Sequence, residues 1–336
     1  MPRDDYGVVP VKIAANPPWV RVFALLLAGL AAACAAALLA PLGWPFELFA
    51  HFRWQLGAAA LFLLLVAALL RQRGMVLLAA VALLSQAGLA LWTAQRATPA
   101  HAAGSCEGPE LRIATVNLWY ANRDPRRLLT WLAASEPDLV ALQEVSPAWV
   151  DGLAATLPAY PYRQLLPRND PYGIGVLSRQ PLRQVTALDL AGDGLPSLQV
   201  TAELAGQSLQ LLVLHTHWPV SPGLQQARDR ALQQAAALAR VMPSASIVLG
   251  DLNLTPYAPA FTRLVQSSGL RDAFAGQAWR PTWQASFWPL ALPIDHVLVP
   301  RAGCVLDATI GPDIGSDHRP VLVTLRLPQR MDHLSR

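Results

Sequence analysis

Lysine is almost missing from this chain of 336 residues: Lys12 is the only one, and the remaining cationic charge is arginine. A guanidinium fork matches phosphate oxygens, but a genome leaning toward Ala, Leu, Arg and Pro gives the same composition. The net charge of +4 is spread along the chain, so it does not by itself point to nucleic acid. Charge of either sign is scarce, at 14%, while hydrophobic residues reach 53%. That balance excludes a purely soluble protein of this length. Cysteine is also sparse. Cys34, Cys106 and Cys304 form no Cys-x-x-Cys and no Cys/His spacing, so zinc is not indicated. No Walker or GxGxxG loop is present to cradle a nucleotide, and no repeat of fixed period occurs.

What is plentiful is apolar sequence, concentrated in the first hundred residues. From about Val20 to Leu42 no charge follows Arg21, a run long enough to span a bilayer. A secretory signal is the competing reading. Two further apolar stretches, Trp54–Leu70 and Met75–Trp92, weaken it. The lack of a polar face argues against a soluble bundle. Trp44, Trp54 and Trp92 stand near segment ends, where indole rings favour the headgroup level. Arg3, Lys12 and Arg21, with Arg71 and Arg73, outnumber the cations between Pro41 and Arg53. Positive segments stay inside, so three crossings place everything after Trp92 outside the cytoplasm. The expectation is a multi-pass protein of a bacterial inner membrane with a periplasmic domain. Its parts are a tail over 1–19, three transmembrane helices within 20–93, a linker over 94–110, an α/β domain over 111–328 and a short tail over 329–336.

From Leu111 the texture changes to short apolar runs between Pro- and Gly-marked turns. Strands are expected at Leu111–Val116, Asp138–Leu142, Gly173–Ser178, Leu198–Leu204, Ser208–His217, Ile247–Gly250, Asp295–Val299, Val305–Ile310 and Pro320–Leu327. Helices are expected at Arg126–Ser135, Ser146–Leu157, Leu224–Val241 and Ala258–Ser268. This mixture suits one α/β domain with a large core. Its central stretch is Ile247–Asn253, IVLGDLN. A buried strand ends at a glycine, and an acid and an amide follow one residue apart. A plain Asx-type turn is the alternative.

The same arrangement recurs. Asn117, Glu144, His215 and His217, Asp251 and Asn253, Asp295, and Asp317 with His318 all lie at expected strand ends. Singly, each reads as a cap, a turn or a packed ring. Together they mark the edge where layered α/β domains hold their sites.

These residues sit in TVNLWYAN, DLVALQEV, GIGVLSRQPL, LHTHWP, IVLGDLNLTP, LPIDHVLV and GSDHRPV. In this order the set resembles the endonuclease/exonuclease/phosphatase superfamily, over about Leu111 to Leu327. The helices before it are similar to a membrane-anchored bacterial subgroup. The resemblance implies a four-layer sandwich of two mixed sheets flanked by helices. It implies Glu144 as ligand of Mg²⁺, or of Mn²⁺ as substitute, with Asn117 beside it and Asp317 near the metal. His318 is implied to act on the attacking water and to contact phosphate, with Asp295 orienting it. Asp251 is implied to position or deprotonate the nucleophile, Asn253 to hydrogen-bond the phosphate, and His217 to belong to an Asn-Thr-His motif. Here His215 replaces that asparagine, and its role stays open. His215, Arg319 and Trp283 are further candidates for substrate contact.

The implied activity is metal-dependent phosphoester hydrolysis, more as a phosphodiesterase than a phosphomonoesterase. A non-catalytic binding module on the same scaffold is the alternative from another class. The substrate is a nucleic acid or a phospholipid headgroup, with the bilayer as the other partner and no protein partner implied. The aromatic loop Trp279–Leu292 can face a base, a lipid or the bilayer, or pack on the domain. Cys106 and Cys304 can pair in an oxidising compartment or remain two thiols.

Overall fold

Two apolar patterns divide the chain, and each builds a different layer. The structure is a computed structural model and describes residues 17–96, 108–156, 158–204, 206–242, 246–277 and 279–327. The continuous runs form α1 (Pro18–Leu38), the short α2 (Phe46–His51), α3 (Arg53–Leu69) and α4 (Arg73–Arg96). Among the described residues two helices, α1 and the Arg73–Thr93 part of α4, are long and apolar enough to cross a membrane; α3 has 17 residues. The expectation of three helices of spanning length is corrected to two plus this shorter one. The chain spends Phe46–His51 on α2, and α3 starts with Arg53 buried. Arg53 donates to the Ala37 carbonyl and to Gln86 Oε1, both at 3.1 Å, while Gln86 donates to the Cys34 carbonyl at 3.2 Å. Such polar contacts hold apolar helices together.

The alternating runs form the domain. In chain order these are β1 (Glu110–Asn117), α5 (Arg126–Ser135), β2 (Leu139–Gln143), α6 (Pro147–Gly152), β3 (Tyr162–Leu166), β4 (Ile174–Ser178), β5 (Leu182–Asp189), β6 (Pro196–Leu204) and β7 (Gln207–His215). Then come α7 (Pro222–Val241), β8 (Ser246–Asp251), α8 (Pro259–Ser268), β9 (Leu270–Asp272), β10 (Asp295–Pro300), β11 (Cys304–Ile310) and β12 (Val321–Arg326). One sheet runs β11-β12-β1-β2-β4-β3, the other β5-β6-β7-β8-β10-β9. Only β1/β2 and β7/β8 pair in parallel among the described strands. Leu111, Ile113, Leu139, Leu211, Val213, Ile247, Leu249 and Val297 fill the space between the sheets. The opposite faces are covered by helices, through Leu128, Trp131 and Trp149 on one side and Leu232, Ala236, Phe261 and Leu264 on the other. This is the expected four-layer sandwich.

The sequence reading passed over β3, β5 and β9. The first two are edge strands with half-exposed, weakly alternating faces, and β9 has three residues. The helix expected to reach Leu157 gives way after Gly152 to a tighter turn over Leu153–Thr156. Cys304 is disulfide-bonded and Cys34 is free. Cys106, its partner in one of the two readings, lies outside the described residues, as do 1–16, most of the linker and the C-terminal tail.

The N-terminal helices are fastened to the sandwich through α2 and the start of α3. Buried Glu47 pairs with buried Arg228 of α7 at 2.7 Å. His51 Nδ1 meets the Thr255 hydroxyl at 2.9 Å, and Trp54 Nε1 donates to the Tyr257 hydroxyl at 2.7 Å. Gln55 Nε2 donates to the Ala291 carbonyl at 2.9 Å.

A second polar cluster pins β10. Asp272 pairs with Arg280, and His296 lies 3.4 Å from Asp272 and 2.7 Å from the Leu254 carbonyl. Burial would raise the Asp272 carboxyl, but Arg280 and His296 bring it down to about 2. A depressed carboxyl stabilises the fold above its unfolded value of about 3.9 and loses that contribution as pH falls through the folded value. Asp272→Asn should therefore lower the unfolding free energy by about 3–5 kcal/mol at pH 7, and the gap from the unsubstituted protein should narrow at pH 3. Thermal unfolding of the solubilised full chain at both pH values measures this.

Gly250 has φ of +139°, and a Cβ there would lie 1.9 Å from the Leu214 carbonyl oxygen. No side chain fits between the parallel strands at this point, and the backbone itself is strained for an L residue. Gly250→Ala should depress the thermal midpoint by roughly 5–10 °C, measured by the loss of circular dichroism on heating.

Candidate active site

The site is the polar continuation of the inter-sheet core. Side chains repeat every second residue along a strand. In β1 the inward row Leu111, Ile113 runs on to Thr115 and Asn117. In β7 the row Leu211, Val213 runs on to His215. In β8 Ile247 and Leu249 lead to Asp251, and in β10 Val299 and Val297 lead back to Asp295. Asp251 is in register with both His215 and Asp295. Two sheets thus bring their polar ends to one edge of one core.

Asn117 joins the sheets. Its Nδ2 donates to Glu144 Oε1 and to Asp251 Oδ2, each at 3.0 Å. Its Oδ1 accepts from the Trp119 N–H at 2.9 Å. Glu144 follows β2 with φ of +59°, a left-handed conformation rare for a residue with a side chain. Its second oxygen accepts from the Tyr120 N–H at 2.9 Å. His318 is placed by Ser316, whose hydroxyl donates to the Asn117 carbonyl at 2.9 Å and accepts from the His318 N–H at 3.0 Å.

His318 lies between two carboxylates. Its Nδ1 is 2.8 Å from Asp295 Oδ2, and its Nε2 is 3.7 Å from Asp251 Oδ2. Asp295 is held in turn by the Thr282 hydroxyl, which accepts from the Asp295 N–H at 3.1 Å. Burial alone would lower the imidazole, but Asp295 and Asp251 push it up to about 10. Burial would raise Asp251, but His318 and His215 bring it down to about 2. Each of the two groups thus favours the charged form of the other. His215 Nε2 is 3.5 Å from Asp251 Oδ2; burial would lower its imidazole, yet Asp251 and Glu144 raise it.

The donor set fits a hard divalent cation. Glu144, Asp251 and Asp295 bring three buried carboxyl groups to one place. Carboxylate oxygens of Asp251 and Asp295 lie within 4.8 Å of each other, with His318 between them. Asp295 Oδ1 and Asp317 Oδ1 are buried without a hydrogen-bond partner. Crowded buried carboxylates are costly unless a cation meets them, and oxygen-rich sets suit Mg²⁺ or Mn²⁺.

Several expected residues stand apart. His217 commits Nδ1 to the Tyr172 hydroxyl at 2.9 Å and Nε2 to Asp193 at 2.8 Å, while His215, the position left open, is the one that reaches Asp251. Asn253 forms the Asx turn kept as the alternative. Its N–H donates to Asp251 Oδ1 at 2.9 Å and its Nδ2 to the Thr216 carbonyl at 2.8 Å. Asp317 accepts from Trp283 Nε1 at 3.0 Å. Arg319 reaches toward Ser286 at 3.3 Å. Thr282 and Tyr172 were missed, since nothing in their local sequence sets them apart. A cavity of about 280 Å³ between Trp92 of α4 and Phe261 of α8 is lined by none of the cluster.

The Endonuclease/Exonuclease/phosphatase family model matches residues 114–318. Among solved structures, D. rerio TDP2 complexed with single-strand DNA product is similar at 20% identity and TM-score 0.53, covering 65% of this chain and 99% of that one. An endonuclease/exonuclease/phosphatase from Bacteroides vulgatus is similar at 20% identity and TM-score 0.55, covering 66% and 100%. The 3′ phosphatase NExo from Neisseria, bound to product DNA hairpin, is similar at 18% identity and TM-score 0.53, covering 63% and 98%. These likenesses show the shared fold. The search of curated proteins returned no match. The matched segment carries the cluster from Asn117 to His318, and the chain belongs to the endonuclease/exonuclease/phosphatase family of phosphoester hydrolases.

Proposed function

We propose that this chain is a membrane-anchored, divalent-metal-dependent phosphodiesterase that hydrolyses its substrate with water. The observation that carries this reading is the line Asp295–His318–Asp251, joined through Asn117 to Glu144. Glu144, with Asn117 beside it, would hold Mg²⁺ or Mn²⁺, which when bound supplies positive charge to the phosphoryl oxygens. Attack on phosphorus builds negative charge on those oxygens, and fixed donors meet it at little reorganisation cost. His318, kept protonated by its two carboxylates, is such a donor. Asp251, kept ionised, is placed to take the proton of the water. The sequence reading set both His318 and Asp251 on the water. The opposed pKa directions favour Asp251 as acceptor and His318 as donor. Asp295 acts through His318, and Asn253 acts by fixing the turn after Asp251.

For the anchor, α1, α3 and α4 make an odd number of crossings, since 17 residues is at the lower limit for a span. The tail and the Arg71/Arg73 turn then lie in the cytoplasm and the domain in the periplasm of a bacterial cell. Protease added to intact spheroplasts, whose inner membrane stays sealed, should digest the domain; protection of the domain would reverse the orientation.

Asp251→Asn and His318→Ala should each lower Mg²⁺-dependent hydrolysis of bis(p-nitrophenyl) phosphate by about a thousandfold or more, with circular dichroism unchanged. Glu144→Ala should raise the Mg²⁺ concentration needed for half-maximal rate. Undiminished turnover by all three would place the chemistry elsewhere, and no Mg²⁺-dependent turnover by the unsubstituted chain would instead favour a non-catalytic binding module. Faster cleavage of p-nitrophenyl phosphate than of the diester would favour a phosphomonoesterase.

A further inference from the structure

The end of the sandwich that carries the site is also the end to which the apolar helices are fastened. His215, Asp251 and Asp295 mark that edge. The segments leaving it are the start of α7, the loop after β8 and the loop before β10. These are the segments that α2 and the first turn of α3 grip: Arg228 by Glu47, Thr255 by His51, and the Ala291 and Trp288 carbonyls by Gln55 at 2.9 and 3.4 Å. The catalytic edge therefore looks toward the level at which α3 begins its apolar run.

At that level the domain extends an apolar loop. Residues 283–294 read WQASFWPLALPI and contain no charge. Phe287 is 56% exposed, Trp288 49% and Leu290 42%. The loop is ordered by its own turns: the N–H of Phe287 donates to the Gln284 carbonyl, that of Leu290 to Phe287 and that of Ala291 to Trp288, at 2.8 to 3.2 Å. Its base is closed where Trp283 and Leu292 exchange backbone hydrogen bonds. Trp283 also bridges to His318 in backbone register. One short segment thus connects catalytic His318 to exposed aromatic rings beside Gln55 of α3. Trp44 and Trp92, at the ends of neighbouring helices, are exposed as well. Rings gathered at the ends of apolar helices belong to the membrane–water interface.

We propose that Phe287–Leu290 is seated in the headgroup layer of the bilayer crossed by the helices, and that the site takes the phosphodiester of a membrane phospholipid. The proposal rests on the hydrolase reading above and adds its substrate class. The loop brings no lysine or arginine of its own to track a polynucleotide backbone, as single-strand binding surfaces do, and Gln55 of α3 holds it by the Trp288 and Ala291 carbonyls. In the reaction the water oxygen forms a new bond to phosphorus as one P–O ester bond breaks. The departing oxygen ends with the proton that the water gives up.

The test uses the full chain in nanodiscs of phosphatidylethanolamine and phosphatidylglycerol. Phe287→Cys carrying an environment-sensitive fluorophore should emit to the blue and be quenched by spin-labelled lipid rather than by aqueous iodide. Emission as in water, with iodide quenching, overturns the placement of the loop. The double variant Phe287→Ser, Trp288→Ser should lose at least about tenfold in hydrolysis of bilayer phospholipid and retain the full rate on soluble bis(p-nitrophenyl) phosphate. Equal loss on both substrates overturns the proposal. So does cleavage of single-stranded DNA with the phospholipid untouched. Failure of the unsubstituted chain on the soluble diester sinks the hydrolase reading instead, and the quenching result still decides where the loop lies.

Discussion

Asp251 is a carboxylate at the end of an apolar row, fully buried, and most of the site exists to make that tolerable. Its Oδ2 receives Asn117 and faces His215 and His318; its Oδ1 receives the Asn253 N–H. An isolated buried charge would cost far more than such a domain can spare. The partners come from both sheets: Asn117 from one, His215 from the other, and His318 from the segment entering β12. The charge therefore depends on the two sheets staying packed, and the packed sheets present the charge at a single edge.

The glycine before it is part of the same constraint. β8 is flanked by β7 in parallel and β10 in antiparallel pairing. At Gly250 the Leu214 carbonyl comes so close that any side chain is excluded. The tight approach aligns His215, Asp251 and Asp295 side by side. A glycine that looks like a turn signal in IVLGDLN is thus a packing requirement between strands, and the turn itself is made by Asn253 at φ of +45°.

How much of this was legible depended on the kind of signal. Strands covered on both faces, such as Val140–Leu142 and Ile247–Leu249, announced themselves as unbroken apolar runs, and the residues that followed them gave most of the cluster. Edge strands such as Tyr162–Leu166 did not, because their exposed faces dilute the pattern. The two histidines of LHTHWP show a different limit. Neighbours two apart on an ideal strand share a face, but the strand ends at His215, and His217 departs to Tyr172 and Asp193. Choosing between them required the end of the strand to a single residue, where sequence patterns are weakest. The docking of α2 was not legible at all. Glu47 and His51 read as residues of a connection, and their partners in α7 and after β8 are remote in the chain.

That docking bears on how the domain can be handled apart from its helices. Arg228 is fully buried and its guanidinium meets Glu47, with Asp229 as neighbour; Thr255 and Tyr257 meet His51 and Trp54. A version trimmed to begin after α4 would uncover this patch and deprive an interior cation of the more buried of its two anions, next to the turn that carries Asp251. Its poor solubility or sluggish turnover would then describe the wound left by the cut rather than the native enzyme.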